Sequence, residues 1–246
     1  MNFSDSYAIT GDFLTTCNDF YSTVSTQSSN TGLKKKEVDR SAGELAVFNK
    51  GHYYLHTTAY KPTGLALGFP LPDPDFKENL WNISMEIKRH LRMFSPQSTK
   101  LFAHVPPESY HVTIVNRKHF DNNDLVEPLS SSEKDRAENV IQKLQIGEVA
   151  VYFNGFIISN EGRVLVRGYV FDNRLFYLRK KLTEIGNIFK DRIPVGAHIK
   201  LGHVLIQLDK HELKTFNQRI SYLSEQISAL IKFNDCYTQQ GQISFR

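Results

Sequence analysis

Two segments of the chain carry a histidine that is followed, two residues later, by a hydrogen-bonding or cationic side chain. One reads Ser-Tyr-His111-Val-Thr113-Ile, and the other reads Gly-Ala-His198-Ile-Lys200-Leu. Both are β-rich, and side chains alternate faces along a strand, so each histidine shares a face with its partner. Two such strands side by side would surround one small space with two imidazoles and two phosphate-binding groups. That is a suitable place for a phosphodiester.

Phosphodiester hydrolysis needs one proton taken from water and another given to the leaving oxygen. Histidine, with an ordinary pKa near ~6.5, does either at neutral pH. Lys200 adds a positive charge beside His198 that lowers its pKa, so we expect His198 to be the base and His111 the acid. Thr113 would hold a non-bridging oxygen together with Lys200. The scheme needs no cofactor, and no Asp/His cluster at metal-ligand spacing points to a metal.

Two further histidines compete for the second half-site. His203 follows His198 by five residues, so in a regular strand the two face opposite ways, unless Gly202 marks a β-bulge. We retain His203 as a substrate-binding candidate. His56 also precedes a threonine by two residues. Its strand precedes a predicted helix, whereas those of His111 and His198 follow one, so we leave His56 outside the site.

Three more side chains are candidates for substrate contact. Tyr110 precedes His111 and alternates away from it, which favours a packing role, although it stays a candidate. Arg167 and Tyr169 share one face of a predicted strand, where they would contact a phosphate, stack on a base or line an outer surface. The remaining histidines are interpreted as structural or surface residues: His52, His90, His104, His119 and His211.

The hydrophobic pattern predicts the elements that hold these residues. In the first half it predicts strands at 45–48 and 53–59, a Gly/Pro loop at 64–74, a helix at 75–94, and strands at 100–105 and 110–115. Ser132 and Asp135 predict a capping box for a helix that ends at Leu144. The second half is predicted as a hairpin (149–158, 163–171), helix 172–189, strand 198–208, helix 209–233 and strand 237–245.

Each half therefore runs strand, helix, histidine strand, helix. We expect an α/β (α+β) fold with two lobes related by a pseudo-two-fold axis. Two antiparallel sheets would face a central cleft, with the helices on the outside. The lobes would occupy residues 43–246. Residues 1–42 contain a Ser/Thr/Asn-rich stretch and Lys34–Lys36, and we expect a loosely held, variable extension. If it covers the cleft as a lid, truncation near Arg40 would change activity without unfolding the core.

Composition limits the function classes. The 246 residues are 40% hydrophobic, which supports a packed core, and 30 basic against 26 acidic residues permit an anionic ligand without requiring one. Cys17 and Cys236 are far apart and fit reduced thiols, with one bridge between the chain ends as an alternative. No leader-like segment and no run of 18 apolar residues occur, so we expect a soluble, cytoplasmic monomer that needs no membrane.

The paired motifs resemble the two-histidine phosphoesterases, and most closely their bacterial cyclic-phosphodiesterase-like subgroup. In that subgroup the first motif follows a Pro-rich turn and a tyrosine, as in Pro106-Pro107-Glu-Ser-Tyr110-His111-Val-Thr113. The second motif is matched by His198-Ile-Lys200-Leu. The resemblance covers about residues 44–233. It implies a metal-independent phosphodiesterase acting on a 2′,3′-cyclic phosphate or a related nucleotide or RNA diester.

Lys200 departs from the family, in which a Thr or Ser hydroxyl donates to a phosphate oxygen. Lysine can also donate a hydrogen bond, and it adds a positive charge on a longer side chain. Either Lys200 binds the phosphate in a changed active site, or the second half-site has lost its function. One alternative is therefore a catalytically impaired protein that binds nucleotides or RNA ends. Another keeps the enzyme but changes the substrate to a 2′-5′ linkage, a cyclic oligonucleotide or an ADP-ribose cyclic phosphate. A third is an unrelated α/β protein whose motifs coincide by chance.

Overall fold

The computed structural model describes residues 13–55, 65–116, 130–185, 196–238 and 241–244. Its α-helices are α1 (Phe13–Thr31), α2 (Lys35–Arg40), α3 (Pro74–Leu91), α4 (Ser131–Leu144), α5 (Arg174–Thr183) and α6 (Lys210–Glu225). Its strands are β1 (Ala46–Asn49), β2 (His52–Leu55), β3 (Leu65–Pro70), β4 (Phe102–His104), β5 (His111–Asn116), β6 (Val149–Ile158), β7 (Arg163–Val170), β8 (Ile199–Val204), β9 (Ser228–Phe233), β10 (Asp235–Thr238) and β11 (Gly241–Ser244). His56 and His119 lie outside the described residues. The fold is α+β.

The strands form a seven-stranded sheet, ordered β1-β2-β4-β8-β7-β6-β9, and a four-stranded sheet, ordered β11-β10-β3-β5. Neighbouring strands are antiparallel, except that β2 and β4 are parallel, so the larger sheet is mixed where an antiparallel one was expected. It also combines β1, β2 and β4 with strands of the second half. The two sheets therefore do not divide the chain into the two halves that the sequence suggested.

Aromatic side chains join the two sheets in the core. Phe69 of β3 stacks on Phe233 of β9 with ring centroids 5.1 Å apart, and Phe76 of α3 packs on Phe153 of β6 at 5.6 Å. The apolar stripe of α3 is buried as its spacing predicted, and Asp73 caps the helix by accepting from the Phe76 N–H. Each fully buried large apolar side chain contributes roughly 1.5–3 kcal/mol.

Two predicted elements are wrong in type. The predicted Gly/Pro loop contains β3, which pairs with β5 and, through Gly68, with β10, so tertiary pairing overrides the low strand propensity of glycine and proline. The predicted final long helix ends at Glu225, and Ser228–Phe233 is the edge strand β9, paired with β6. Ile227, Ile231 and Phe233 are buried and Ala229 is partly buried against the core. This period of two is typical of a strand, and the adjoining helix obscured it.

Smaller differences concern boundaries. The capping box of α4 is formed by Ser130 and Glu133 rather than by Ser132 and Asp135. The predicted last strand is a hairpin of β10 and β11. The Asp172 carboxylate accepts from the Arg174 N–H at 2.9 Å, as expected for a residue at the start of α5. None of the helices in the described part of the chain is long and apolar enough to cross a membrane.

Helix α1 is an integral part of the core. It packs on α6, β6 and β7, and Cys17, Tyr21, Leu33 and Val38 are between 0% and 3% exposed. The expectation that residues 1–42 are loosely held is therefore wrong for the part that the structure describes. Cys17 is a reduced thiol rather than half of a bridge. The division of the chain at residue 42 stays a prediction.

Candidate active site

His111 opens β5 directly after a 3-10 turn (Pro107–Ser109) that fixes the direction of its ring. Its Nδ1 lies 2.7 Å from the Ser109 carbonyl oxygen. A carbonyl only accepts, so Nδ1 carries the proton and Nε2 is the nitrogen available for chemistry. Burial lowers the pKa of His111, the Ser109 hydrogen bond raises it, and the charge of Lys200 lowers it further. His111 is thus close enough to Lys200 for their charges to interact.

Arg179 joins the two histidine segments. This side chain of α5 is 0% exposed and donates to the carbonyl oxygens of Thr113 at 2.7 Å, Ile114 at 3.0 Å and Gly196 at 3.0 Å. It therefore connects β5 of the smaller sheet to the residues that lead into β8 of the larger one. Burial lowers the pKa of its guanidinium to about 10, so it remains charged at neutral pH.

Sequence reasoning missed Arg179, although a signal was present. Leu175, Leu178 and Leu182 mark the buried stripe of α5, and Arg179 follows Leu175 by four residues, on the same stripe. A charged side chain on an apolar stripe needs hydrogen-bond partners inside the protein. Here the partners are backbone carbonyl oxygens that a sequence pattern does not identify.

His198 lies just before β8, among several cationic groups. Burial, above all, lowers the pKa of His198 to about 3, and the positive charges of Arg179 and His111 lower it further. The imidazole is therefore neutral at physiological pH. Its Nδ1 is buried, and within the described ranges it has no hydrogen-bond partner. His111 and His198 are thus close enough for their charges to interact, and one ring nitrogen of His198 is unsatisfied among the described residues.

Lys200 is partly buried beside the histidines. Burial and the charge of Arg163 lower its pKa to about 7, and Glu161 partly offsets both. Arg163 itself forms an ion pair with Glu161 at 2.7 Å. In addition to burial, the charge of Lys200 lowers the pKa values of His111, His198 and His203. Lys200 is therefore close to all three histidines.

A β-bulge decides the orientation of His203. Arg163 pairs with His203 and Leu165 pairs with Lys200. These pairs are two residues apart on β7 but three apart on β8, so β8 contains one extra residue there. Paired residues project to the same face. His203 therefore shares a face with Lys200. This is the arrangement expected if a β-bulge occurs near Gly202, and the opposite orientation expected for a regular strand does not apply.

The remaining candidates divide between the site and the scaffold. Thr113 is partly buried on β5, next to His111 in the strand alternation. Tyr110 is 1% exposed and belongs to the core, which agrees with its packing interpretation. Arg167 donates from Nε to the Asn154 carbonyl oxygen at 2.9 Å, and Tyr169 packs edge to face on Tyr21 at 5.6 Å. Among the described residues, no hydrogen bond or ring contact joins the side chain of Tyr110, Arg167 or Tyr169 to the His111 ring.

Helix α1, which lies in the segment expected to be loosely held, places a side chain beside His198. The Phe20 ring lies parallel to the His198 ring, with planes 16° apart and centroids 6.2 Å apart. The neighbouring Tyr21 hydroxyl accepts from the Gly168 N–H and donates to the Gly168 carbonyl oxygen, each at 3.0 Å. The segment expected to be a loosely held extension therefore supports one of the candidate histidines.

Three other described histidines have structural partners. His104 is 0% exposed, and its Nδ1 lies 2.9 Å from the Ser84 hydroxyl. His52 accepts from Lys88 at 3.2 Å, and His90 hydrogen-bonds to the Tyr222 hydroxyl at 3.0 Å. Across the described part of the chain, no group of three His, Cys, Asp or Glu side chains is placed to hold a metal ion.

The electrostatic balance of the site is cationic. Its ionisable groups are histidine, lysine and arginine, and Glu161 is the acidic side chain that acts on Lys200. Positively charged, desolvated donors favour an anionic ligand. Comparison with known proteins adds no assignment: no family model matches the chain, and no curated protein matches it.

Proposed function

We propose that this protein is a metal-independent phosphodiesterase that hydrolyses a 2′,3′-cyclic phosphate, or a related nucleotide or RNA phosphodiester, with two histidines. The observation that supports the proposal is the mutual proximity of His111, His198 and Lys200. These residues come from motifs that are distant in sequence and lie on separate sheets. His111 and Lys200 both act on the pKa of His198, and the surrounding charge favours an anion.

The proposed reaction uses the two imidazoles in opposite roles. Neutral His198 takes a proton from water, whose oxygen forms a bond to phosphorus. The bond from phosphorus to one ribose oxygen breaks, and His111 gives its Nε2 proton to that oxygen. The Ser109 carbonyl holds the Nδ1 proton of His111 and favours the imidazolium. The charge of the bound diester raises the pKa of both histidines, which offsets the effect of burial.

Thr113 and Lys200 would bind the non-bridging oxygens as negative charge builds up on them. The site would lie in a cleft between two lobes, with β5 on one side and β8 on the other, connected by Arg179. We further propose that the protein acts as a monomer in the cytoplasm, which is supported by a cysteine content typical of a reducing compartment.

The test is hydrolysis of the four nucleoside 2′,3′-cyclic phosphates in the presence of EDTA. We expect His111→Ala and His198→Ala each to lower kcat/KM by about 10²–10⁴-fold, the usual contribution of general acid or base catalysis. His211→Asn is the matched control, because His211 is exposed at the start of α6. Full activity in either site variant, or loss of wild-type activity with EDTA, would refute the mechanism.

A second candidate is a nucleotide-binding or RNA-end-binding protein with little turnover. The observation that favours it is Lys200 in place of a hydroxyl, next to an imidazole whose pKa is lowered to about 3. Such an imidazole is a weak base until an anion binds. This protein would bind a nucleotide with histidine-dependent affinity and show no histidine-dependent hydrolysis of any of the four substrates.

A further inference from the structure

His203 has a hydrogen-bonding requirement that the described residues do not meet. It is 4% exposed, and its Nδ1 lies 3.0 Å from the Ser41 hydroxyl. Its Nε2 is buried, and no hydrogen-bond partner for it exists among the residues that the structure describes. Burying an unsatisfied polar atom costs about 1–3 kcal/mol. A bound ligand would remove that cost.

The charges around His203 indicate the sign of the ligand. Burial lowers the pKa of His203, and the charges of Lys200 and Arg163 lower it further, so two cationic side chains act on the same ring. Arg163 pairs with His203 across β7 and β8, which places the two residues on one face of the sheet. Glu161 forms an ion pair with Arg163 at 2.7 Å and offsets part of this charge, so the cluster keeps a net positive charge when Lys200 is protonated. An anionic group is the ligand that this cluster would stabilise.

The spacing along β8 separates His203 from His198. The β7 partners of Lys200 and His203 are two residues apart, so these two residues lie about 7 Å apart along the sheet. His198 precedes Lys200 by two residues, a similar distance on the other side. Lys200 thus stands between His198 and His203, and one extended ligand would reach both ends.

We propose that His203, Arg163 and Lys200 form a second anion subsite, and that the preferred substrate carries a further phosphate on the same nucleotide as the scissile cyclic diester. A 5′-phosphorylated nucleoside 2′,3′-cyclic phosphate fits this description, because one ribose separates its two anionic groups. The substrate class rests on the proposed function, whereas the anion subsite does not depend on turnover.

The first experiment compares kcat/KM for adenosine 2′,3′-cyclic phosphate with and without a 5′-phosphate. We expect the wild type to prefer the phosphorylated substrate by about tenfold or more, the effect of one additional charge-assisted contact. His203→Asn keeps an amide near the Nδ1 position for Ser41 but removes Nε2, and it should abolish the preference. His203→Gln, which places a donor near Nε2, should retain most of it.

Arg163→Gln tests the same subsite without altering the buried core, because the Arg163 side chain is 49% exposed. It should reduce the preference several-fold even if both His203 variants fail to fold. His211→Asn should leave the preference unchanged. Equal kcat/KM for the two substrates in the wild type, or an unchanged preference in both His203→Asn and Arg163→Gln, would overturn the subsite.

A binding measurement separates this inference from the proposed function. Calorimetry would compare adenosine 3′,5′-bisphosphate with adenosine 3′-monophosphate on the wild type and on His203→Asn. Tighter binding of the bisphosphate by about tenfold, lost in His203→Asn, supports the subsite even if no cyclic phosphate is hydrolysed. Equal affinities in the wild type overturn the subsite even if hydrolysis is observed.

Discussion

At the scale of single residues, Lys200 has the most consequential environment. Its pKa is lowered from 10.5 to about 7, so its charge changes within the physiological range. Phosphate binding would favour the charged form, because a diester is an anion at every relevant pH. A phosphate contact made by Lys200, as proposed above, would therefore be sensitive to pH.

We predict that affinity for adenosine 2′,3′-cyclic phosphate falls as the pH rises through about 7, where Lys200 loses its proton. A hydroxyl has no charge to lose, so Lys200→Thr should flatten this dependence. The measurement is Kd against pH in a His111→Asn background, which prevents turnover, with Lys180→Thr as a control at an exposed lysine. An unchanged slope in Lys200→Thr would assign the pH dependence to another group.

Lys200 also links pH to stability. The pKa of Lys200 in the folded protein is below its ordinary value of 10.5. Between about pH 7 and 10.5 the unfolded chain therefore binds more protons than the folded protein. Because of this difference, the free energy of unfolding rises with pH across that window. Below about pH 7 the cost of burying the charge is fully present. Lys200→Met should therefore raise the free energy of unfolding by about 2–4 kcal/mol at low pH, and by less as pH increases. Urea titrations at several pH values measure the difference.

At the scale of elements, Arg179 sets the relation between β5 and β8. Its guanidinium satisfies three backbone carbonyl oxygens on two separate segments. Unlike a pair of apolar side chains, planar donors with fixed directions specify one relative position of the strands. Arg179 is thus a positioning residue for both half-sites, and its charge also lowers the pKa of His198.

We predict that Arg179→Met lowers the free energy of unfolding by about 3–5 kcal/mol, because it leaves buried carbonyl oxygens without donors. Arg179→Lys, which keeps the charge but not the planar donors, should recover stability only in part. Because Arg179→Lys keeps a positive charge near His198, the pKa of His198 should be lower in Arg179→Lys than in Arg179→Met. NMR titration of the histidines would measure the difference. Lys180→Met, at the exposed neighbour on α5, is the control. Equal stability in Arg179→Met and Lys180→Met would contradict this role.

At the scale of the whole molecule, the N-terminal segment packs against the larger sheet. Helix α1 packs on β6, β7 and α6, and Gly32 at φ +70 lets the chain pass close to the backbone of Asp209. Leu33 and Leu208 are joined there by a backbone hydrogen bond of 2.9 Å. The segment therefore belongs to the cooperative core rather than forming a separable lid.

Deletion of residues 1–40 is accordingly expected to unfold the core, in contrast to the sequence-based expectation of altered activity with an intact fold. It would expose the surface that Cys17, Tyr21 and Val38 now bury. Circular dichroism and urea unfolding would show a lost or strongly weakened transition. Tyr21→Phe, which removes only the two Gly168 hydrogen bonds, should cost about 1–3 kcal/mol. A stable, cooperatively unfolding deletion variant would restore the lid interpretation.

Several elements were predictable because their signals are local. The stripe of α3, the hairpin of β6 and β7, and the start of α6 at Asp209 depend on spacing and capping within a few residues. Strands β3 and β9 were not predictable in this way. Their identity depends on partners that are distant in the chain, and glycine, proline or an adjoining helix weakens their local signal.

The sequence by itself determined the residue types of the candidate site: two histidines in β-rich segments, each followed two residues later by a hydrogen-bonding or cationic side chain, with a bulge possible at Gly202. Only the tertiary structure decided that His111 and Lys200 act on the pKa of His198, that a bulge turns His203 to the face of Lys200, and that Arg179 and Phe20 support the histidines. The physical reason is that spacing fixes alternation within a strand, whereas burial, charge and register between strands arise from contacts between distant segments.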